Sequence, residues 1–167
     1  MKKSKILLVA INGYGVTYSD ALLDSEAVGN YEVVGIVDPF ANIYPRIDEY
    51  KALGVPIFDN IEDFYKTNSA DLTIISSPIH YHESQSVCAL NHGSHVLCEK
   101  PIAGSMSQAK NMIDVATRNN RKLSIGFQLS FTESNFALKR DLMAGKYGKI
   151  HYAKTLVQWP RPKSYFA

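Results

Sequence analysis

Long apolar runs are missing from this chain of 167 residues: no stretch approaches the roughly 18 residues needed to cross a bilayer, so no membrane span is expected. A surplus of one charge is missing as well. Eighteen Lys plus Arg stand against sixteen Asp plus Glu, a formal net charge of +2, and the basic residues are dispersed. That leaves no electrostatic footprint for a nucleic acid backbone or an acidic membrane, and small molecules are the expected partners. Cysteine is scarce. Cys88 and Cys98 fit neither a CxxC redox or zinc motif nor a disulfide framework, and read as two reduced thiols. Lys2, Lys3 and Lys5 precede the apolar run Ile6 to Ile11, but that run is too short for a secretory signal and meets Asn12-Gly13 without a small-residue cleavage site. A cytoplasmic protein is expected. Repeats, low-complexity segments and Gly/Ser linkers are absent over residues 1–148, so that stretch reads as one domain.

What is present is a chain 46% hydrophobic and 20% charged, enough to bury one sizeable core. Short β-branched or leucine-rich runs recur at Ile6 to Ile11, Tyr31 to Val37, Pro56 to Phe58, Leu72 to Ile75, His95 to Cys98 and Leu123 to Phe127, and read as buried strands. Helical spacing separates them, clearest in Ala109, Met112, Ile113 and Ala116, and repeated by Tyr18, Ala21 and Leu22. Asn60 and Ser105 are candidate N-caps; Gly29, Gly54, Gly93 and Gly145 are candidate C-caps. Alternation of helices with nearly continuous apolar strands predicts a doubly wound α/β fold, a parallel sheet covered on both faces.

Strand one runs into Gly13-Tyr14-Gly15-Val16-Thr17-Tyr18, which supplies two glycines of a dinucleotide fingerprint and puts Tyr18 at the third position. On this reading Gly13 makes the tight turn and Gly15 lets the backbone approach a pyrophosphate, while the Tyr18 ring would overpack the helix–strand contact by about 1–3 kcal/mol. The helix that follows would face the phosphates with its N-terminal amides. Asp38, ending strand two twenty-five residues after Gly13, can accept hydrogen bonds from an adenosine ribose and repel a 2′-phosphate. NAD is therefore favoured over NADP. The competing reading makes Gly13 and Gly15 an ordinary turn and Asp38 a cap before Pro39.

In an open α/β sheet ligands lie beyond the carboxyl ends of the strands, so the loops after strands four and five matter most. They are Ser76-Ser77-Pro78-Ile79-His80-Tyr81-His82 and Glu99-Lys100-Pro101. The stretch from Ser77-Pro78 through His82 to His95-Val96-Leu97-Cys98-Glu99-Lys100-Pro101 closely resembles the Gfo/Idh/MocA family of nicotinamide-dependent oxidoreductases, whose Glu-Lys-Pro signature follows a His-Val strand. The resemblance extends over the glycine loop, Asp38-Pro39, Gly126-Phe127-Gln128 and Gly145 to Gly148. It implies a Rossmann-like NAD(P)-binding domain with Gly13, Tyr14, Gly15, Asp38, Ser76, Ser77, Pro78, His82, Glu99, Lys100 and Pro101 on the cofactor side. It also implies that Lys100 lies near the nicotinamide and the reacting carbon, with the bond to Pro101 often cis. There its ammonium would orient a substrate alcohol and favour the charge that develops as hydride leaves. His80, His92 and His151 match no family role, and no zinc site is expected from the histidines. Ser130 stands where many relatives carry arginine.

Ile150 to Gln158 reads as a further strand, broken at Trp159-Pro-Arg-Pro-Lys; with Trp159, Arg161 and Tyr165 it resembles the start of the family's second α/β domain. Residues 1–148 are then a dinucleotide-binding domain, and residues 149–167 only the first strand of a substrate and oligomerisation domain. The expected activity is hydride transfer between NAD or NADP and a sugar, cyclitol or related polyol. The longer form would be a homo-oligomer, and this chain alone inactive. Two alternatives stand beside it: a non-catalytic dinucleotide-binding module or degenerate relative, motivated by Tyr18 and Ser130, and a fragment that self-associates through the strand at Ile150 to Gln158.

Overall fold

The computed structural model describes residues 2–25, 29–158 and 160. Six strands, β1 (Ser4–Val9), β2 (Tyr31–Val37), β3 (Ile57–Phe58), β4 (Leu72–Ile75), β5 (His95–Cys98) and β6 (Leu123–Ile125), form one sheet in the order β3-β2-β1-β4-β5-β6. Every pairing is parallel. Among the described residues six α-helices accompany them: α1 (Gly15–Asp24), α2 (Ile47–Ala52), α3 (Ile61–Thr67), α4 (His82–Asn91), α5 (Met106–Arg118) and α6 (Glu133–Met143). Among the described residues no helix is long and apolar enough to cross a membrane.

Alternation along the strands builds the two covered faces. Ile6 and Leu8 of β1, with Ile36 of β2 and Ile74 of β4, join Tyr44, Ile47 and Tyr50 on one face. Leu7, Val9, Val37 and Ile75 join Phe64 of α3, Leu90 of α4 and Met112 of α5 on the other. The apolar strand runs are explained by this arrangement, since neither face of a central parallel strand meets water. In α5 the expected stripe is corrected at one position. Ala109, Met112 and Ala116 are buried, but Ile113 is half exposed and Val115 takes its place in the core. Both N-caps form as expected: Asn60 accepts from the Asp63 N–H, and Ser105 from the Gln108 N–H. Gly54, Gly93 and Gly145 follow helices with positive φ, whereas α1 ends at Asp24 with Ser25 as its cap, well before Gly29.

The chain divides into two compact units, residues 1–127 and 128–167. The first contains the whole sheet. The second contains a short 3-10 turn (Gln128–Phe131) and α6, whose N-cap Thr132 accepts from the Asn135 N–H. Residues 150–158 form no strand, contrary to the sequence expectation, and are exposed throughout. An apolar segment becomes a strand only when a neighbour takes up its backbone hydrogen bonds, and among the described residues none pairs with it. Trp159, Arg161 and Tyr165 lie outside the described residues.

Candidate dinucleotide site

The strand order reverses between β1 and β4, and the crevice of a doubly wound sheet opens at that point, beyond the carboxyl ends of the strands. A cleft of about 770 Å³ lies there, bordered by the loops after β1, β2 and β4 and by the start of α3.

Its first wall is the β1–α1 loop. Directly after β1, Ala10 takes a left-handed conformation with φ +62°, which costs an L-residue on the order of 1 kcal/mol. Gly13 turns the chain at φ +58°, with open space where a Cβ would stand. Gly15 then starts α1 hard against the end of β1: a Cβ there would fall 2.0 Å from the Ala10 carbonyl oxygen and 2.9 Å from Ser76 Oγ. Close helix–strand packing is the task of the third fingerprint glycine. The expected assignment of that position to Tyr18 is therefore corrected. The loop is in register as Ala10, Asn12 and Gly15, and the overpacking anticipated from the Tyr18 ring does not arise.

Asp38 closes the second wall. It is 6% exposed, and its carboxylate holds the first loop in place. Oδ2 accepts from the Ile11 N–H at 2.9 Å and from Asn12 Nδ2 at 3.0 Å; Oδ1 accepts from the Phe40 N–H at 2.8 Å. Asn12 Nδ2 also donates to the Phe40 carbonyl at 2.9 Å. A carboxylate offers about four acceptor sites, so Oδ1 keeps capacity for one more donor at the rim of the cleft. Sequence spacing identified the acid but not Asn12, whose amide ties the first loop to the second.

The third wall follows β4. Ser76 Oγ donates to the Ala10 carbonyl at 2.8 Å, and Ser77 Oγ to Gln85 Oε1 at 2.6 Å. Of the residues anticipated from the sequence, Gly13, Tyr14, Asp38, Ser76, Ser77 and Pro78 border the cleft; Gly15, His82, Glu99, Lys100 and Pro101 do not. Phe40, Asp59, Glu62 and Gln85 also border it with nothing local in their sequence to mark them, and Asn60, marked only as a helix cap, borders it too. No Lys or Arg is among the lining residues, while Asp38, Asp59 and Glu62 contribute three carboxylates.

His82 is buried beside this wall, 2% exposed. Its Nε2 lies 2.8 Å from the Ser77 carbonyl oxygen and its Nδ1 2.9 Å from that of Pro101, so the ring joins the loop after β4 to the loop after β5. In that second loop the Lys100–Pro101 peptide is cis. Lys100 is exposed, with Nζ 5.5 Å from the centroid of the Tyr14 ring, a cation–π distance. Glu99 is 5% exposed; it accepts from the Tyr18 hydroxyl at 2.5 Å through Oε1 and from the Lys100 N–H at 3.1 Å through Oε2. Burial, and after it the Glu99 carboxylate, push the Tyr18 phenol well above its ordinary range, so it stays a donor.

The remaining candidates resolve simply. His80 packs on Tyr81 and His92 stacks on Tyr65, and among the described residues no three His, Cys, Asp or Glu side chains gather as metal ligands would. Burial pushes the Cys88 thiol up to about 11 and the Cys98 thiol up to about 12, which makes both poor nucleophiles at neutral pH.

The profile of an oxidoreductase family with an NAD-binding Rossmann fold, Gfo/Idh/MocA, matches residues 7–127. Glucose-6-phosphate 3-dehydrogenase of Bacillus subtilis (strain 168) is 28% identical over 155 residues, covering 90% of this chain and 42% of that protein. The scyllo-inositol dehydrogenase of Lactobacillus casei, solved with bound NAD(H) and scyllo-inositol, superposes with a TM-score of 0.75 at 26% identity, over 88% of this chain and 43% of its own. The WlbA dehydrogenase of Bordetella pertussis, solved with NADH and UDP-GlcNAcA, shares the fold with a TM-score of 0.86 at 23% identity, over 99% of this chain and 48% of its own. The chain thus spans less than half the length of each of these relatives. With the reversed sheet order, the glycine-packed first loop, the acid after β2 and the Glu99-Lys100-Pro101 loop all in position, the chain belongs to the Gfo/Idh/MocA family of oxidoreductases with an NAD-binding Rossmann fold.

Proposed function

We propose that this chain binds NAD and forms the cofactor side of a dehydrogenase acting on a sugar, cyclitol or related polyol. The observation that carries the reading is the contact of Gly15 with the end of β1, because a helix start pressed this close leaves its N-terminal turn facing the cleft, where a pyrophosphate is stabilised. Space and donor chemistry fit the cofactor: the cleft has about 770 Å³, and Asp38 retains an acceptor position for a ribose hydroxyl. The lining supports NAD over NADP. A 2′-phosphate beside Asp38, Asp59 and Glu62 would meet three carboxylates and no Lys or Arg among the residues that border the cleft.

When bound, the nicotinamide supplies the hydride acceptor. This chain's own part is orientation and charge. The loop after β1 and Asp38 hold the adenosine and pyrophosphate, and Ser77 and Pro78 border the path toward the nicotinamide. Lys100 holds an ammonium beside the substrate oxygen, where it orients the alcohol and favours the negative charge that develops there as hydride leaves. The sugar and cyclitol class comes from the relatives, one named for glucose 6-phosphate and one solved with scyllo-inositol.

In this reading residues 1–148 are the cofactor domain and residues from 149 open a substrate and oligomerisation domain. The protein works in the cytoplasm, and its longer form is a homo-oligomer. The 167-residue chain binds cofactor but does not turn over, because it spans less than half the length of the dehydrogenases it resembles. The test combines a thermal-shift screen with an activity panel on the purified chain. NAD raises the melting temperature, NADP does so less, and no cyclitol or sugar phosphate produces NADH. A shift from neither nucleotide defeats the binding reading, and NADH production defeats the division of the cleft.

A further inference from the structure

The Glu99-Lys100-Pro101 segment is held from outside its own loop, and its side-chain anchor comes from the helix of the glycine loop. Tyr18, one turn into α1, donates its hydroxyl to Glu99 Oε1 at 2.5 Å, while the other oxygen of that carboxylate accepts the Lys100 N–H at 3.1 Å. Space around Glu99 is confined. A Cβ at Gly126 would fall 2.5 Å from Oε1 and 3.2 Å from the Tyr18 hydroxyl, so residue 126 has room only for glycine while the pair is in place. The ring of Tyr14, on the same loop as Gly15, is edge-on to Tyr18 at 6.3 Å and lies beneath the Lys100 ammonium. Of these two aromatic residues of the β1–α1 segment, Tyr14 thus lies under the Lys100 charge, and Tyr18 reaches the Lys100 main chain through the Glu99 carboxylate.

We infer that Tyr18 is a positioning residue: through Glu99 it sets the place of Lys100 relative to the dinucleotide loop, at the nicotinamide end of the cleft. The inference rests on the dinucleotide reading above. A Tyr at this position reaches Glu99 because its phenol oxygen extends beyond the ring, and it remains a donor because burial and the adjacent carboxylate disfavour its ionisation. Glu99 itself is too buried to be a surface partner for Lys100, and its two acceptor bonds are both spent on geometry. The consequence is selective. Weakening Tyr18 disturbs the part of the cofactor nearest Lys100 and leaves the adenosine half, held by Asp38, unaffected.

The experiment compares NADH with ADP-ribose, which lacks the nicotinamide, by titration of the purified chain. In the unaltered chain NADH binds more tightly than ADP-ribose. Tyr18→Phe lowers NADH affinity about threefold to tenfold, the range for the net contribution of one hydrogen bond, and leaves ADP-ribose within about twofold. Gly126→Ala, which displaces Glu99 from the other side without altering Tyr18, reproduces the same selective loss and serves where Tyr18→Phe folds poorly. Lys100→Ala also lowers NADH affinity, and Tyr18→Phe added to it causes no further loss, since both act on one contact. Equal loss of NADH and ADP-ribose, additive losses in the double variant, or equal affinities of the two nucleotides for the unaltered chain overturn the inference while leaving dinucleotide binding intact. Binding of neither nucleotide by the unaltered chain overturns the dinucleotide reading first, and the inference with it.

Discussion

Gly15 begins α1 within such reach of Ala10 that a Cβ on the glycine would lie 2.0 Å from the alanine carbonyl oxygen. Neither partner can yield, because one is backbone at a strand end and the other is the first residue of a helix. Gly15→Ala is therefore expected to push α1 off the sheet, lower stability by about 1–3 kcal/mol and abolish NADH binding. Gly13→Ala meets open space and pays only for its positive φ, on the order of 1 kcal/mol. Thermal melts of the two variants check the contrast, and equal effects would contradict the geometry.

Asp38 holds the loop after β1, in addition to the ribose contact proposed for it. Asp38→Asn replaces one acceptor oxygen with an amide that faces donors from Ile11, Asn12 or Phe40. A buried donor left facing a donor costs about 1–3 kcal/mol, so this isosteric change is expected to lower the melting temperature even without nucleotide. It is also expected to weaken NADH binding at least about tenfold, the sum of a loosened loop and a weaker ribose contact. Unchanged stability with weakened binding would leave Asp38 a ribose ligand alone.

Alkaline pH is expected to unfold the chain through its tyrosines. Burial is the first cause that raises the phenols of Tyr18, Tyr44, Tyr50 and Tyr65 above the ordinary value of 10.0, with carboxylates adding to it at Tyr18 and Tyr44. The folded state holds these protons more tightly than the unfolded chain. Their contribution to stability is complete below about pH 10 and is lost as pH rises through that value toward the raised native ones. Phenolate absorbance followed alongside circular dichroism checks this: the signal of these four among the ten tyrosines appears only as the fold is lost. Full ionisation of all ten with the fold intact would contradict it.

Both thiols are expected to resist alkylation at neutral pH, Cys98 more than Cys88. Cys98 is fully buried and Cys88 half-buried, and burial raises both away from the reactive thiolate form. Labelling at neutral pH is expected to modify Cys88 slowly and Cys98 only after denaturant is added. Rapid labelling of Cys98 in the native chain would mean that the β5 end of the sheet opens readily.

The doubly wound fold was legible because the central strands are buried on both faces and read as apolar runs, as in Ile6 to Val9. Asn60 and Ser105 announced their helices by chemistry that acts within three residues. Local spacing places the fingerprint three residues too late for a physical reason: Ala10 occupies a left-handed conformation where glycine is the usual signal, so Gly13 is the first glycine the sequence shows. Asn12 and Gln85 are out of reach of a local pattern because their side-chain partners lie 8 to 28 residues away. Residues 150–158 have strand composition, but β structure depends on a pairing neighbour that no local pattern can supply. The correction at Gly15 removes the main motive for a degenerate site, since Tyr18 meets Glu99 rather than obstructing the helix.

The NAD binding proposed for the cleft between β1 and β4, through the Gly15-packed loop and Asp38, can be decided by calorimetric titration of the purified chain with NADH and with NADPH at one fixed salt concentration. Saturable one-to-one binding with NADH the tighter ligand, abolished by Gly15→Ala, is the predicted result. Tighter binding of NADPH would contradict the role given to Asp38, Asp59 and Glu62, and absence of binding by either nucleotide would contradict the claim itself.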